Sequence, residues 1–311
     1  MAARLGARGR PLSRPNPAVG AVIVKDGVVV GRGWTQPGGR PHAEAMALAQ
    51  AGERARGSCC YVTLEPCAHA SPRGPSCSES LCEAGVARVV AAVRDPDPRT
   101  AGRGLAALAE AGVDTASIDS EPAARSLAGY LARAQSGRPH ITLKLALSAD
   151  DRLAPPVGQW LTGEVARAHV HAWRAKVDAI LVGRGTYLAD APRLDVRLPG
   201  LEPQSPCRLM LTSGEAPDGW LALGSPAAVH NLGETQWLMV EGGATTARAF
   251  LAADLVDTMM LYRSPDSVSG DGASLPELAQ DRIGPEWRRV ASHPLGSDRL
   301  DVYDRARCSP A

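Results

Sequence analysis

The stretch from Pro41 to Cys77 constrains this chain more than any other. It reads Pro41-His42-Ala43-Glu44, then Thr63-Leu64-Glu65-Pro66-Cys67, with a second cysteine at Cys77. One imidazole and two thiolates fill three positions of a tetrahedral zinc ion and leave the fourth for a water. Glu44, two residues after the histidine, is then a non-ligand carboxylate placed to carry protons between that water and a leaving amine. A lone His-x-Glu says little, and so does a lone Pro-Cys. In this order, each at the mouth of a helix, they say much more. Pro66 suits the first residue of a helix, which puts Cys67 in its first turn. Unpaired backbone N–H groups there stabilise a thiolate and favour metal ligation.

A His, two Cys and a proton-carrying Glu are the parts of a zinc-dependent deaminase. Two blander readings compete. His42 could cap a helix while Cys67 and Cys77 are ordinary buried residues. Alternatively, His69 could complete a purely structural zinc site, which would leave Glu44 without a task. Cys59, Cys60, Cys82, Cys207 and Cys308 read as core or surface thiols.

Length and charge narrow the class. With 311 residues the chain has room for about two domains. Lys plus Arg number 34 against 33 Asp plus Glu, so bulk charge draws it to neither nucleic acid nor membrane. Aromatics make up 4% and Phe250 is the sole Phe, too few for a base-stacking surface. No apolar run approaches the roughly 18 residues of a membrane span. Arg4, Arg8, Arg10 and Arg14 precede the first acid, Asp26, and read as a basic opening helix rather than a transit peptide. Seven unevenly spread cysteines do not make a disulfide framework. The expectation is a reduced, cytoplasmic protein acting on a small molecule.

Along the chain, 18–30 reads as a hairpin turning at Lys25-Asp26-Gly27, preceded by the loop Pro15-Asn16-Pro17. A helix is expected over 42–51 with Gly52 past its end, and strands over 60–64, 86–93 and 113–118. Further helices are expected near 81–85, over 104–112 and over 122–134. Gln135-Ser136-Gly137-Arg138-Pro139 is the best linker, so a first α/β domain is expected over 1–137 and a second over 138–311. In the second, strands are expected at 140–147, 177–182, 207–212, 237–240, 257–262 and 299–303, with helices at 164–174 and 244–253. Glu241-Gly242-Gly243 is a turn at a helix start, where backbone can approach a phosphate closely and N–H groups point at the anion. The alternation indicates α/β sandwiches.

The spacing of the cysteines separates this chain from many zinc deaminases. Single-strand and tRNA deaminases usually close the site with Pro-Cys-x-x-Cys, whereas here nine residues, Ala68 to Ser76, separate Cys67 from Cys77. That loop, with Thr63-Leu64-Glu65-Pro66-Cys67-Ala68-His69 before it, resembles the bifunctional deaminase/reductase family of riboflavin biosynthesis. Pro15-Asn16-Pro17-Ala18-Val19-Gly20, Ala84 to Val90, Asp95-Pro96-Asp97-Pro98 and Gly102-Arg103-Gly104 match it too. The resemblance implies a cytidine-deaminase-like three-layer α/β/α domain. Its substrate would be a diamino-hydroxy-pyrimidine bearing a phosphoribosylamino group. Zinc would be held by His42, Cys67 and Cys77, with Glu44 catalytic and Asn16 bonded to the substrate. His69 would line the pocket or be plain loop, and Arg103 and Arg73 would suit the phosphate.

The second half resembles the reductase domain of the same family, which is dihydrofolate-reductase-like and uses NADPH. The matching segments are Leu143-Lys144-Leu145-Ala146, Gln159-Trp160-Leu161-Thr162, Arg174-Ala175 and Val177 to Gly183, then Thr186 with Leu188-Ala189-Asp190, Pro192 to Arg197, and Val240-Glu241-Gly242-Gly243. By that resemblance Trp160, Thr186, Asp190, Gly242 and Gly243 would contact NADPH. Lys144, Arg174, Leu194, Arg197 and Glu241 would hold the substrate, with the arginines on or near its phosphate. The ribosyl group would be reduced to ribityl. A homodimer is also implied.

Departures accumulate in this half. Ser148-Ala149-Asp150-Asp151 stands where the family has Ser-Leu-Asp-Gly, so Asp151 replaces a glycine. Ala191 replaces an expected second Asp. The chain between Ser213 and Gln236 is short, which predicts the loss of a strand and helix pair, and the segment before Leu12 is clipped. These departures leave a second reading open: a deaminase only, with a degenerate reductase domain retained as a structural or dimerisation partner.

Overall fold

The computed structural model describes residues 1–69, 74–153, 160–268 and 273–306. Arg73, Gln159 and Cys308 lie outside the described residues. The chain forms two compact units, one of Met1–Arg138 with Glu234–Gln236, the other of Pro139–Gly233 and Trp237–Ala311. Among the described residues, no helix is long and apolar enough to cross a membrane.

The first unit is a five-stranded sheet in the order β2-β1-β3-β4-β5. Its strands are β1 (Gly20–Lys25), β2 (Val28–Trp34), β3 (Cys59–Val62), β4 (Arg88–Ala91) and β5 (Asp114–Ser117). β1 runs antiparallel to both β2 and β3, while β3, β4 and β5 are parallel. Asp26 and Gly27, both at positive φ, make the two-residue turn that joins β1 to β2. Helices α1 (Ala2–Gly6), α2 (Ala43–Ala51), α3 (Cys77–Glu83), α4 (Arg103–Glu110), α5 (Glu121–Ser126) and α6 (Ala128–Ser136) accompany the sheet. The helix expected over 122–134 is thus two, broken at Leu127.

Helix α2 lies hard against β2. A Cβ on Gly33 would stand 2.0 Å from the Ala43 carbonyl oxygen, so any larger residue there would push the first turn of α2 off the sheet. The core beneath is built from Ala21, Ile23, Ala43, Ala47, Val62, Leu81, Val89 and Leu108. The alanines let the helix approach closely.

The second unit holds an eight-stranded sheet, β12-β13-β11-β6-β10-β7-β8-β9. Its strands are β6 (His140–Leu147), β7 (Ala179–Gly183), β8 (Cys207–Leu211), β9 (Leu221–Leu223), β10 (Trp237–Val240), β11 (Thr258–Arg263), β12 (Trp287–Leu295) and β13 (Asp298–Arg305). The six from β11 to β9 run parallel, and β13 and β12 turn back antiparallel at one edge. Helices α7 (Glu164–Arg174), α8 (Arg184–Asp190) and α9 (Ala244–Ala252) complete the described helices of this unit. Leu143, Leu145 and Leu147 alternate into the main core with Leu181, Val240, Phe250 and Leu261. Lys144 faces the other way, which is how a lysine stands in a central strand.

Two strands escaped the sequence reading. β12 is an edge strand with mostly exposed or half-buried residues and Pro294 near its end, so it carries little hydrophobic pattern. β9 falls in the short segment that was expected to have lost a strand. It is present with three residues and is followed by a 3-10 helix at Pro226–Asn231. This edge of the sheet is short but present.

Candidate active sites

In the first unit α2 begins at His42, whose extended backbone makes it the N-cap, and Glu44 follows inside the first turn, 3% exposed. Cys67 does not open a helix as expected. It sits in an irregular segment after β3, and the helix starts instead at Cys77, capped by Ser76, whose Oγ accepts the Glu79 N–H. The physical reason for the expectation survives in a different form: the first amide of α3, that of Cys77, donates to Cys67 Sγ at 3.2 Å. The helix end stabilises the sulfur from outside.

His42 Nδ1 stands 3.2 Å from Cys77 Sγ and 3.8 Å from Cys67 Sγ. All three ligand atoms lie within 4.8 Å of one another, the one such group of three among the described residues. Tetrahedral Zn–N and Zn–S bonds imply N-to-S separations of about 3.6 Å, so the donor set fits zinc in both chemistry and spacing. His69 lines the same cavity but is not in that group.

The electrostatics agree. The Cys77 thiol, then His42 and the Cys77 amide, hold Cys67 down to about 4 against the effect of burial. Cys77 is pushed well up by its bond to Cys67 and by burial. One thiolate suppresses the other, the arrangement that a dication completes. Burial raises the Glu44 carboxyl above the usual range.

The cavity at this cluster is about 270 Å³ and is lined by Asn16, His42, Glu44, Cys67, His69, Asp97, Arg99 and Tyr130 among others. The Asn16 amide is 3.4 Å from His42 Nε2. Arg103 opens α4, exposed, and does not line this cavity.

In the second unit Glu241 follows β10 directly. Its buried carboxylate accepts two parallel bonds from Arg174, Nε at 2.8 Å and Nη2 at 2.9 Å, with Lys144 Nζ at 3.6 Å. Burial works against the charge, but Lys144 and Arg174 hold the carboxyl at about 2. Lys144 also lies 5.6 Å from the Tyr262 ring centre. Gly243 is the N-cap of α9 and its N–H donates to Thr186 Oγ1 at 3.2 Å. A Cβ on Gly242 would meet Thr246 at 2.5 Å, so the turn needs glycine. No side chain caps α9, which leaves its start suited to an anion.

The loop 191–197 carries the remaining expected residues. Leu194 is buried at φ +54, and Arg197 Nε is 3.4 Å from Asp195 Oδ1. The structure therefore brings Lys144, Arg174 and Glu241 together, and Thr186 with Gly243. Trp160, 71% exposed, packs under the Arg167 guanidinium, and Asp190 ends α8, exposed. Among the described residues neither joins the Glu241 network.

Residues 1–93 match the family model of the cytidine and deoxycytidylate deaminase zinc-binding region, and 139–300 match that of the RibD C-terminal domain. The riboflavin biosynthesis protein RibD of Haemophilus influenzae is 36% identical, covering 96% of this chain and 94% of its own length. That of Escherichia coli is 37% identical over 96% and 95%. The chain belongs to the RibD family. Among solved structures, Acinetobacter baumannii RibD, form 1, superposes with a TM-score of 0.82 at 32% identity, covering 98% of this chain and 97% of that one. A diaminohydroxyphosphoribosylaminopyrimidine deaminase/5-amino-6-(5-phosphoribosylamino)uracil reductase from Thermotoga maritima gives 0.85 at 28%, with the same coverage.

Like its RibD relatives, this chain is a bifunctional enzyme of riboflavin biosynthesis that uses zinc and NADPH, and its fold is the one the resemblance implied. The deaminase-only alternative is not favoured, since the C-terminal model runs through the shortened segment. The departures are accommodated locally. Asp151 adopts the left-handed conformation at φ +57 that a glycine would take freely, and its carboxylate accepts from Arg263 Nη1 at 3.0 Å. Ala191 is also left-handed, at the end of α8.

Sequence reasoning missed Glu65, which lies within the motif itself. Its buried carboxylate accepts from the N–H groups of Gly102 at 2.9 Å and Gly104 at 3.0 Å and so ties the 95–105 loop to the segment carrying Cys67. A buried acid between Leu64 and Pro66 was the available signal. It also missed Tyr130, whose hydroxyl donates to Asp95 Oδ1 at 2.7 Å in the cavity wall. In a helix rich in Ala and Leu, that residue reads as core.

Proposed function

We propose that the first unit, residues 1–137, deaminates diaminohydroxyphosphoribosylaminopyrimidine. The second, residues 138–311, then reduces 5-amino-6-(5-phosphoribosylamino)uracil at its ribosyl group. The observation that carries this is the convergence of His42, Cys67 and Cys77 within 4.8 Å, beside the cavity that His42 and Cys67 line together with the buried Glu44.

In the deaminase step His42 Nδ1 and the two cysteine sulfurs would hold zinc, and Asn16 would orient both the imidazole and the pyrimidine. Zinc, when bound, supplies the Lewis acidity that makes water nucleophilic near neutral pH. Glu44 takes a proton from the attacking water and returns it to the departing amine, so that ammonia leaves and a carbonyl remains. Its burial-raised carboxyl suits that exchange.

In the reductase step Gly242, Gly243 and Thr186 would hold the cofactor at the start of α9, with Trp160 and Asp190 as further contacts. NADPH supplies the hydride. Glu241, fixed as an anion by Arg174 and Lys144, holds the sugar. Leu194 packs against the substrate, and Arg197 with Arg174 attracts its phosphate. We further infer a cytoplasmic homodimer that acts on small molecules and not on nucleic acid, in keeping with the near-neutral charge.

The test is the mass of the product. Zinc-loaded protein given the diaminopyrimidine phosphate and NADPH should yield a species both deaminated and reduced. A deaminated but unreduced product would overturn the second half of the assignment, and unchanged substrate would overturn all of it.

A further inference from the structure

Helix α7 does more than supply Arg174. One turn earlier it carries His171, which no part of the proposed chemistry uses. His171 Nδ1 lies 3.0 Å from the Asp195 carbonyl oxygen and 3.3 Å from the Arg197 amide nitrogen. The same carbonyl accepts Arg174 Nη1 at 3.1 Å, and the Val196 N–H donates to Ser205 Oγ at 2.9 Å. These four contacts fall on the backbone of three consecutive residues, 195 to 197.

That segment needs holding. Leu194, just before it, is a buried, branched, non-glycine residue at φ +54, and Ala191 is at φ +41. Such conformations persist only where surrounding contacts over-determine them, and they gather at functional sites. The loop presents Arg193 and Arg197 on either side of the Asp195 carboxylate, at 2.6 Å and 3.4 Å. Burial, then the Arg174 and Arg197 guanidiniums, lower the His171 pKa. Those neighbours favour the neutral ring, in which Nδ1 is either a donor to the Asp195 carbonyl or an acceptor from the Arg197 N–H. Both options fasten the loop to α7.

We propose that His171 is a positioning residue of the reductase: through Nδ1 it locks the strained 194–197 loop so that Arg197 meets the substrate's phosphate. This rests on the reading that Arg197 binds that phosphate.

The experiment is steady-state reduction of the phosphorylated substrate and of its dephosphorylated form by the full chain, with deaminase activity as the folding control. His171→Ala should raise KM for the phosphorylated substrate about tenfold, the scale of one lost hydrogen bond, and leave kcat within about twofold. KM for the dephosphorylated form should not move. His171→Asn, whose amide can take the place of Nδ1 as donor or acceptor, should restore KM. His171→Gln, which extends to the Nε2 position, should not.

An equal loss with both substrates, a fall in kcat as large as the rise in KM, or parental kinetics in His171→Ala would each overturn the inference. Arg197→Ala separates the two layers. If it abolishes the preference for phosphate while His171→Ala does not, the positioning role fails alone. If the preference survives in Arg197→Ala, the phosphate reading fails and the inference with it.

Discussion

The two sites of this chain are built in opposite ways. The proposed deaminase cluster draws its candidate metal donors and its acid from 36 consecutive residues, 42 to 77, with two helix starts and one irregular segment aiming them at a point. The reductase network draws Lys144, Arg174 and Glu241 from a strand, a helix end and a turn spread over nearly a hundred residues, and a sheet assembles them. The first site depends on groups whose charge is adjustable: coupled thiols, an imidazole and a buried acid. The second depends on a carboxylate fixed as an anion by two cations. A local motif with adjustable charge suits proton transfer, and a rigid ion network suits holding a charged sugar phosphate.

The largest effect that could break this contrast comes from Glu44. Glu44→Gln should lower deamination by a factor of about 10³ or more while bound zinc stays stoichiometric by elemental analysis, because a proton carrier is lost but no ligand is. Loss of zinc in that variant would mean Glu44 is part of the metal site. Chelation is the complementary operation. It should abolish deamination and leave reduction of the deaminated intermediate at its starting rate, a pair of assays on one sample.

Glu241→Gln should do the reverse. It leaves Arg174 and Lys144 buried against a neutral amide, at a cost of about 3 kcal/mol in denaturant titration, with reduction lost and deamination retained. The pH dependence follows with a definite sign. The Glu241 carboxyl is depressed to about 2 from its usual 4.5, so its contribution to stability is complete above about 4.5 and disappears as pH falls toward 2. An acid titration of the parent against Glu241→Gln should show the difference between them shrinking over that window.

The smallest effect is at Asp151. Asp151→Gly removes the left-handed strain and also the bond to Arg263, and should stay within about 1 kcal/mol of the parent in thermal denaturation. Asp151→Ala keeps the strain without the bond and should be the less stable of the two. The opposite order would show that φ +57 costs nothing here.

The same contrast decides what could be read from the chain. The grouping of His42, Glu44, Cys67 and Cys77 was legible because their spacing is the one the proposed chemistry needs. Strands β6 and β10 and helix α7 were legible because each is a continuous pattern of its own period. The helix start at Cys67 was misplaced because Pro66 fits a first helical position equally well in a loop, and only the fold reveals that the amide reaching its sulfur comes from Cys77. Apart from the Gly242-Gly243 turn, the reductase residues could be named by resemblance alone. Nothing near Lys144 in sequence signals Glu241, and Leu194 shows no sign of its left-handed backbone. Edge strands β9 and β12 are too short or too exposed to carry a pattern.

Two sites that work independently on one chain should complement one another when each is disabled in a separate protein. Glu44→Gln and Glu241→Gln proteins, each unable to convert the diaminopyrimidine phosphate to the reduced product, should be mixed in equal amounts with NADPH and the product followed by mass. The account predicts that the mixture forms the deaminated and reduced species, because each protein supplies the step the other lacks. A mixture that stops at the substrate or at the deaminated intermediate would contradict it.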